Sequence, residues 1–133
     1  MTDLDRVGNY LREKMGVVTT AGEMSVATPD GIVDFGMIGY SMSDSLLIVV
    51  SPDNVDLKES AVDRLLERME LAKRHFQLFT PNHIHGVIVC EQASDPALQY
   101  AAEKRSIAVL ETNGNSIVSI LPIRLQPNPF QFP

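Results

Sequence analysis

The sequence predicts an α/β fold built on a mixed sheet. Leu46-Leu47-Ile48-Val49-Val50, Gly86-Val87-Ile88-Val89-Cys90 and Ile107-Ala108-Val109-Leu110 are unbroken apolar runs of strand length, the pattern of strands covered on both faces. Between the first two runs lies a long segment whose apolar residues recur every three or four positions, which is a helix signature. A strand, a helix and a second strand of this kind form a crossover unit, which sets the two strands parallel and places the helix on the sheet.

The elements follow in order. Leu4, Val7, Leu11 and Met15 are spaced for a helix over 2–15, with Thr2 or Asp3 at its start and Gly16 in the left-handed position at its end. Strands are expected over 17–28 and 32–40, joined at Thr28-Pro29-Asp30-Gly31, where proline presets φ and glycine accepts a positive one. A polar turn at 41–45 leads to the strand 46–50, and Ser51-Pro52-Asp53-Asn54 is expected to end it. The long helix spans about 55–79, with Asp56 and Glu59 at the spacing of a capping box. A strand over 84–90 precedes a helix opened by Ser94-Asp95-Pro96 and running to about 105. Strand 107–110, a hairpin turn at Asn113-Gly114 and a returning edge strand over 116–125 complete the order α-β-β-β-α-β-α-β-β. Residues 1–125 read as a single domain, and 126–133, with three prolines, as an extended tail that either frays or docks on a partner.

Bulk composition narrows the function classes. The 133 residues are 44% hydrophobic and 21% charged, ordinary for one globular domain and incompatible with disorder of the whole chain. The net charge of -6 disfavours a broad electrostatic grip on nucleic acid. Arg64, Arg68, Lys73 and Arg74 alternate with Asp63, Glu67 and Glu70, which reads as a solvated helix face. Cys90 ends an apolar run with no cation beside it in sequence, so it reads as a buried, unreactive thiol. The acidic opening Met1-Thr2-Asp3-Leu4-Asp5 is not a secretion signal, and no apolar stretch reaches a membrane span. The expected location is the cytoplasm, and the expected partner a protein or a second copy.

The order α-β-β-β-α-β over 2–111, with the helix through Asp56-Leu57-Lys58-Glu59 and Leu71-Ala72-Lys73-Arg74 and the strands 86–89 and 106–110, resembles the PD-(D/E)xK, or restriction-endonuclease-like, nuclease superfamily. The resemblance implies carboxylates on the second and central strands that hold a divalent metal, which activates water and neutralises charge on the scissile phosphate. It also implies a lysine two residues beyond the central carboxylate. By this resemblance Asp34 stands where the second-strand aspartate belongs, and Glu13 where some members carry a further acidic ligand. The central strand departs from the pattern: Val49 or Val50 replaces the acid, and Ser51 or Pro52 the lysine. The resemblance therefore implies a degenerate member, a nuclease fold without catalysis that serves as a binding or assembly module and needs no cofactor. The alternative is an active Mg²⁺- or Mn²⁺-dependent nuclease with a migrated site, using Asp34, Glu13 and Asp53, with Asp56, Lys58 and Glu59 as further candidates beyond the strand.

Other constellations carry less. His83-Ile84-His85 sets two imidazoles at metal-ligand spacing but lacks a flanking third ligand in sequence, and His75 reads as a surface residue. Asp34-Phe35-Gly36 matches a kinase triplet in a chain with no other kinase element.

Overall fold

The computed structural model describes residues 3–19, 25–29, 31–35, 37–41, 46–75, 83–104, 106–114 and 116–122. Helix α1 (Asp3–Met15) is followed by the strands β1 (Val18–Thr19), β2 (Ser25–Thr28), β3 (Gly31–Asp34), β4 (Met37–Ser41) and β5 (Leu46–Leu57). Then come α2 (Glu59–His75), β6 (Ile84–Ala93), α3 (Asp95–Glu103), β7 (Ile107–Asn113) and β8 (Ser116–Leu121). The architecture is mixed α/β, with three helices and a mixed sheet among the described residues.

The main sheet has six strands in the order β1-β4-β5-β6-β7-β8. β5, β6 and β7 are mutually parallel, while β4 and β8 run antiparallel to their neighbours. The parallel crossover expected between the central strand and strand 84–90 is thus present, with α2 as its helix. Alternation along the strands divides the core into two layers. Leu47, Val49, Ile88 and Val109 pack with Val62, Leu65 and Met69 of α2 and Ala97 and Ala101 of α3. Ile48, Val50, Val87, Val89 and Leu110 pack with Val7 and Leu11 of α1. Gly16 ends α1 at φ +67°, its N–H donating to the Arg12 carbonyl at 3.0 Å, which is the left-handed cap that the sequence predicts.

The structure departs from the expected elements in three places. The strands expected over 17–28 and 32–40 are each divided. Their outer pieces, β1 and β4, join the main sheet, while β2 and β3 form a separate two-stranded hairpin around the predicted 28–31 turn. The division falls at Phe35, which is fully buried in the α2-side core; its inward packing takes the chain out of the ladder.

The central strand does not end at Ser51. β5 runs for 12 residues to Leu57, and its pairing with β6 shifts register between Ser51 and Asn54. Pro52 has no N–H to give to a ladder, so the strand bulges there and resumes. Asn54, Asp56 and Leu57 then pair with Cys90, Gln92 and Ala93, and buried Leu57 anchors the extension. Asp56 is consequently a strand residue and not a helix cap. The Lys58 carbonyl accepts the first helical hydrogen bonds, from the N–H groups of Ala61 and Val62.

The helix ends and turns also shift slightly. Ser94 holds the N-cap position of α3 without a side-chain cap hydrogen bond. The last hairpin closes at Asn113 and Ser116, so Gly114, at φ +61°, is the first residue of a two-residue loop and Asn113 belongs to β7. β8 stops at Leu121, before Pro122. Residues 76–79 of the predicted long helix, 123–125 of the predicted last strand and the whole tail 126–133 lie outside the described residues.

Candidate functional site

In the sheet, the strand beside the first half of β5 is β4, with Ile38 opposite Val49 and Met37 opposite Val50. These four side chains are all at most 3% exposed and belong to the two hydrocarbon layers of the core. β4 reads Met-Ile-Gly-Tyr-Ser and offers no carboxylate. A divalent cation needs several oxygen ligands. The donor set where β4 meets β5 does not fit one.

Asp34, expected on the strand next to the central one, lies instead on β3, opposite Ser25 in the two-stranded hairpin, with its side chain exposed. Its displacement follows from the division at Phe35. Glu13 sits exposed in the last turn of α1. Asp53 lies on β5 within the register shift, and its side chain is outside the described set. Among the described residues, no group of three or more His, Cys, Asp or Glu side chains is placed to hold a metal ion.

Sequence reasoning missed what the longer β5 does to the acidic residues beyond Ser51. Asp53 and Asp56 are carried on the central strand itself, and Lys58 follows Asp56 by two residues. An acid and a lysine at that spacing are what the nuclease resemblance requires, here at the C-terminal end of the strand. Asp56 and Lys58 are both exposed. The signal was present as Asp56-Leu57-Lys58, but Pro52 led the strand to be ended too early.

The same end of the sheet holds Cys90, which lies opposite Asn54 of β5 and Glu111 of β7. Burial, followed by the nearby charges of Glu111 and Asp56, pushes its thiol up to about 11. The Sγ–H points at the Leu110 carbonyl at 3.6 Å, and the Thr112 hydroxyl donates to the Cys90 carbonyl at 3.4 Å. This thiol stays protonated at neutral pH, which agrees with the unreactive reading. Nearby, the Tyr100 hydroxyl of α3 donates to Asp63 Oδ1 of α2 at 2.6 Å, and that hydrogen bond raises the phenol's pKa. The Lys104 ammonium lies 4.5 Å from the Tyr100 ring centre.

The histidines do not assemble a site among the described residues. His83 precedes β6 and is half-buried, while His85 is 3% exposed on the α1 side of the sheet, opposite Ile48. His75, expected at the surface, is half-buried, and its Nε2 is shielded from solvent. On α2, Lys73 pairs with Glu70 at 3.0 Å, consistent with a solvated helix face. A shallow pocket of about 250 Å³ separates α1 from β6, β7 and β8; it is lined mainly by apolar groups, with Tyr10, Lys14 and Ser119 supplying the polar atoms. No described helix is long and apolar enough to cross a membrane.

No family model matches the chain, and no curated protein matches it. A solved structure does. The chain is similar in fold to a repair endonuclease from Pyrococcus abyssi, known from its crystal structure. The TM-score is 0.53 at 17% sequence identity, over 84% of this chain and 47% of that one. The likeness is one of fold, and this chain spans about half the length of that endonuclease. The fold is accordingly like that of part of this endonuclease.

Proposed function

We propose that this chain is a nuclease-fold domain that has lost catalysis and serves as a binding or assembly module. The observation that carries this reading is the pairing of β4 with β5. Ile38, Met37, Val49 and Val50 stand where the nuclease resemblance would look for metal-holding carboxylates, and all four are buried hydrocarbon-layer residues, which supports the reading. Aliphatic side chains there give up the metal and enlarge the core, since each fully buried one contributes roughly 1.5–3 kcal/mol of transfer free energy. The net charge of -6 supports a protein partner over nucleic acid.

A second reading rests on one specific observation, the Asp56-Leu57-Lys58 triplet at the end of β5. Under it the chain is a divalent-metal nuclease whose site has migrated along the central strand, with Asp56 as ligand and Lys58 beside the attacking water. Asp53 would be a further ligand; Asp34 on the hairpin and Glu13 on α1 are not grouped with Asp56 among the described residues and would have to act apart from it.

One assay decides between them. The purified chain is incubated with single- and double-stranded DNA and RNA in Mg²⁺ or Mn²⁺. Loss of catalysis predicts no cleavage above a metal-free control. Metal-dependent cleavage abolished by Asp34→Ala or Asp56→Asn would overturn the first reading and establish the second.

A further inference from the structure

We propose that the pocket between α1 and the sheet binds a small organic acid, a monocarboxylate with a compact alkyl or aryl body. The floor of the pocket follows from the strand register. Val87 of β6 lies beside Ala108 of β7, and Leu110 of β7 beside Ser119 of β8, so one patch of the sheet runs under the pocket across three strands. Space opens above it because Ala108 and Ser119 are small. Along the row Val50, Val87, Ala108 the side chain loses two methyl groups at β7. Leu11 of α1 forms one wall, and Pro122, beyond the register shift of β8, another. The cavity holds about 250 Å³, below the ~300–1,000 Å³ of sites for drug-sized molecules, so its ligand has on the order of ten non-hydrogen atoms.

Three polar groups stand at this pocket, the Tyr10 hydroxyl, the Lys14 ammonium and the Ser119 hydroxyl. Tyr10 and Lys14 are four residues apart on α1, which sets them on one face of the helix. All three can donate a hydrogen bond, and none is engaged by another protein group among the described residues. An apolar floor with a few converging polar groups is the ordinary make-up of a small-molecule site.

Charge selects the ligand. The chain carries -6 overall, yet Lys14 is the one charged residue among those lining the pocket, and no carboxylate shares it. Glu13, next to Lys14 in the chain, is exposed and does not line it. A carboxylate only accepts hydrogen bonds and so suits all three donors, and it meets Lys14 as the opposite charge. An ammonium group would meet Lys14 as a like charge, and a neutral alcohol forgoes the ion pair. The apolar body of the acid then covers Val87, Ala108 and Leu110.

The test is a titration of the 15N-labelled full chain, followed by its amide NMR shifts, with octanoate, octan-1-ol and octylammonium. The three share one alkyl chain and differ in the head group. Octanoate should bind saturably with a dissociation constant of about 0.1–1 mM, its shifts centred on Leu11, Val87, Ala108 and Leu110. The other two should bind more weakly. Lys14→Met should weaken octanoate about three- to fivefold, the share of an exposed ion pair, and leave octan-1-ol unchanged. Ser119→Leu, at an exposed position, fills the pocket and should remove octanoate binding while the thermal midpoint is kept. Absence of saturation up to about 10 mM octanoate overturns the proposal. So do shifts centred elsewhere, octylammonium bound as tightly as octanoate, an acid preference that survives Lys14→Met, or binding that survives Ser119→Leu. Affinity that rises at least tenfold on removing 126–133 also overturns it, since that segment would then be the occupant. The titration reads the pocket under α1 and the cleavage assay reads catalysis, so either reading can fail without the other.

Discussion

At Gly86 the sheet lies too close to α2 to admit a side chain, and replacing it with alanine tests the packing there. A Cβ at this position would lie 2.7 Å from both Leu65 Cδ2 and Met69 Sδ, and 3.0 Å from Leu65 Cγ. Comfortable carbon contacts begin near 3.5 Å, so α2 must yield by roughly 0.8 Å. Leu65 and Met69 are each 1% exposed and have no solvent to swing into. Overpacking of this kind costs about 1–3 kcal/mol. Relief of glycine's backbone entropy in a strand returns roughly 0.5–1 kcal/mol, leaving a net loss centred on about 1 kcal/mol. For 133 residues the unfolding entropy is about 0.28 kcal/mol/K, so the thermal midpoint should fall by about 4 °C. Urea unfolding should show the same loss as a lower midpoint with an unchanged slope. The decisive measurement is a double-mutant cycle. Met69→Ala alone should cost about 2–5 kcal/mol, and adding Gly86→Ala to that background should cost less than it does in the parent, because Met69 Sδ is gone while Leu65 Cδ2 still stands in the way. A coupling energy of at least about 0.5 kcal/mol is expected. If Gly86→Ala is as stable as the parent, or additive with Met69→Ala, the close approach described here is wrong.

Cys90 in the folded protein should resist thiol-modifying reagents below about pH 10 and react only on unfolding. Its thiol is raised from the ordinary 9.0 to about 11, so its share of stability is fully present below pH 9 and is lost as the pH rises from 9 through 11; Cys90→Ala should flatten that part of a stability–pH curve. Tyr100→Phe removes the hydrogen bond between α3 and α2 and should lower the urea midpoint only slightly, while in the parent a spectrophotometric titration should place the phenol above free tyrosine. Deleting 126–133 should shift stability by less than about 0.5 kcal/mol and keep one cooperative transition, as expected if 1–125 is the domain. Mn²⁺ titrated calorimetrically into the chain should give no saturable heat under the first functional reading, and a saturable heat removed by Asp56→Asn under the second.

Much of this fold was legible because its strongest signals are local. The apolar runs at 46–50, 86–90 and 107–110 are strands covered on both faces, and the spacing of Val62, Leu65, Met69 and Ala72 buries one face of α2. What was not legible depended on tertiary context. Nothing local to Phe35 says that it will turn into the α2-side core and split one expected strand into β3 and β4. Pro52 ends most strands, and only pairing with Cys90, Gln92 and Ala93 of β6 shows that β5 continues past it. Both misreadings fall on the candidate site. The first placed Asp34 beside the central strand when it belongs to a hairpin, and the second placed Asp56 on a helix when it belongs to β5.

The length of β5 gives the molecule an uneven stiffness. From Leu46 to Val50 the strand is clamped on both sides, by β4 and β6; from Asn54 to Leu57, among the described residues, it is held by β6 alone. It behaves as a cantilever, fixed at the root and supported along one flank towards the tip, with the bulge at Pro52 as the compliant joint. Amide exchange should reflect this, slowest over 47–50 and faster over 53–57, since local opening follows the density of pairing. The tip carries Asp53 and Asp56, so both acidic residues of the central strand lie where it is paired on one flank alone.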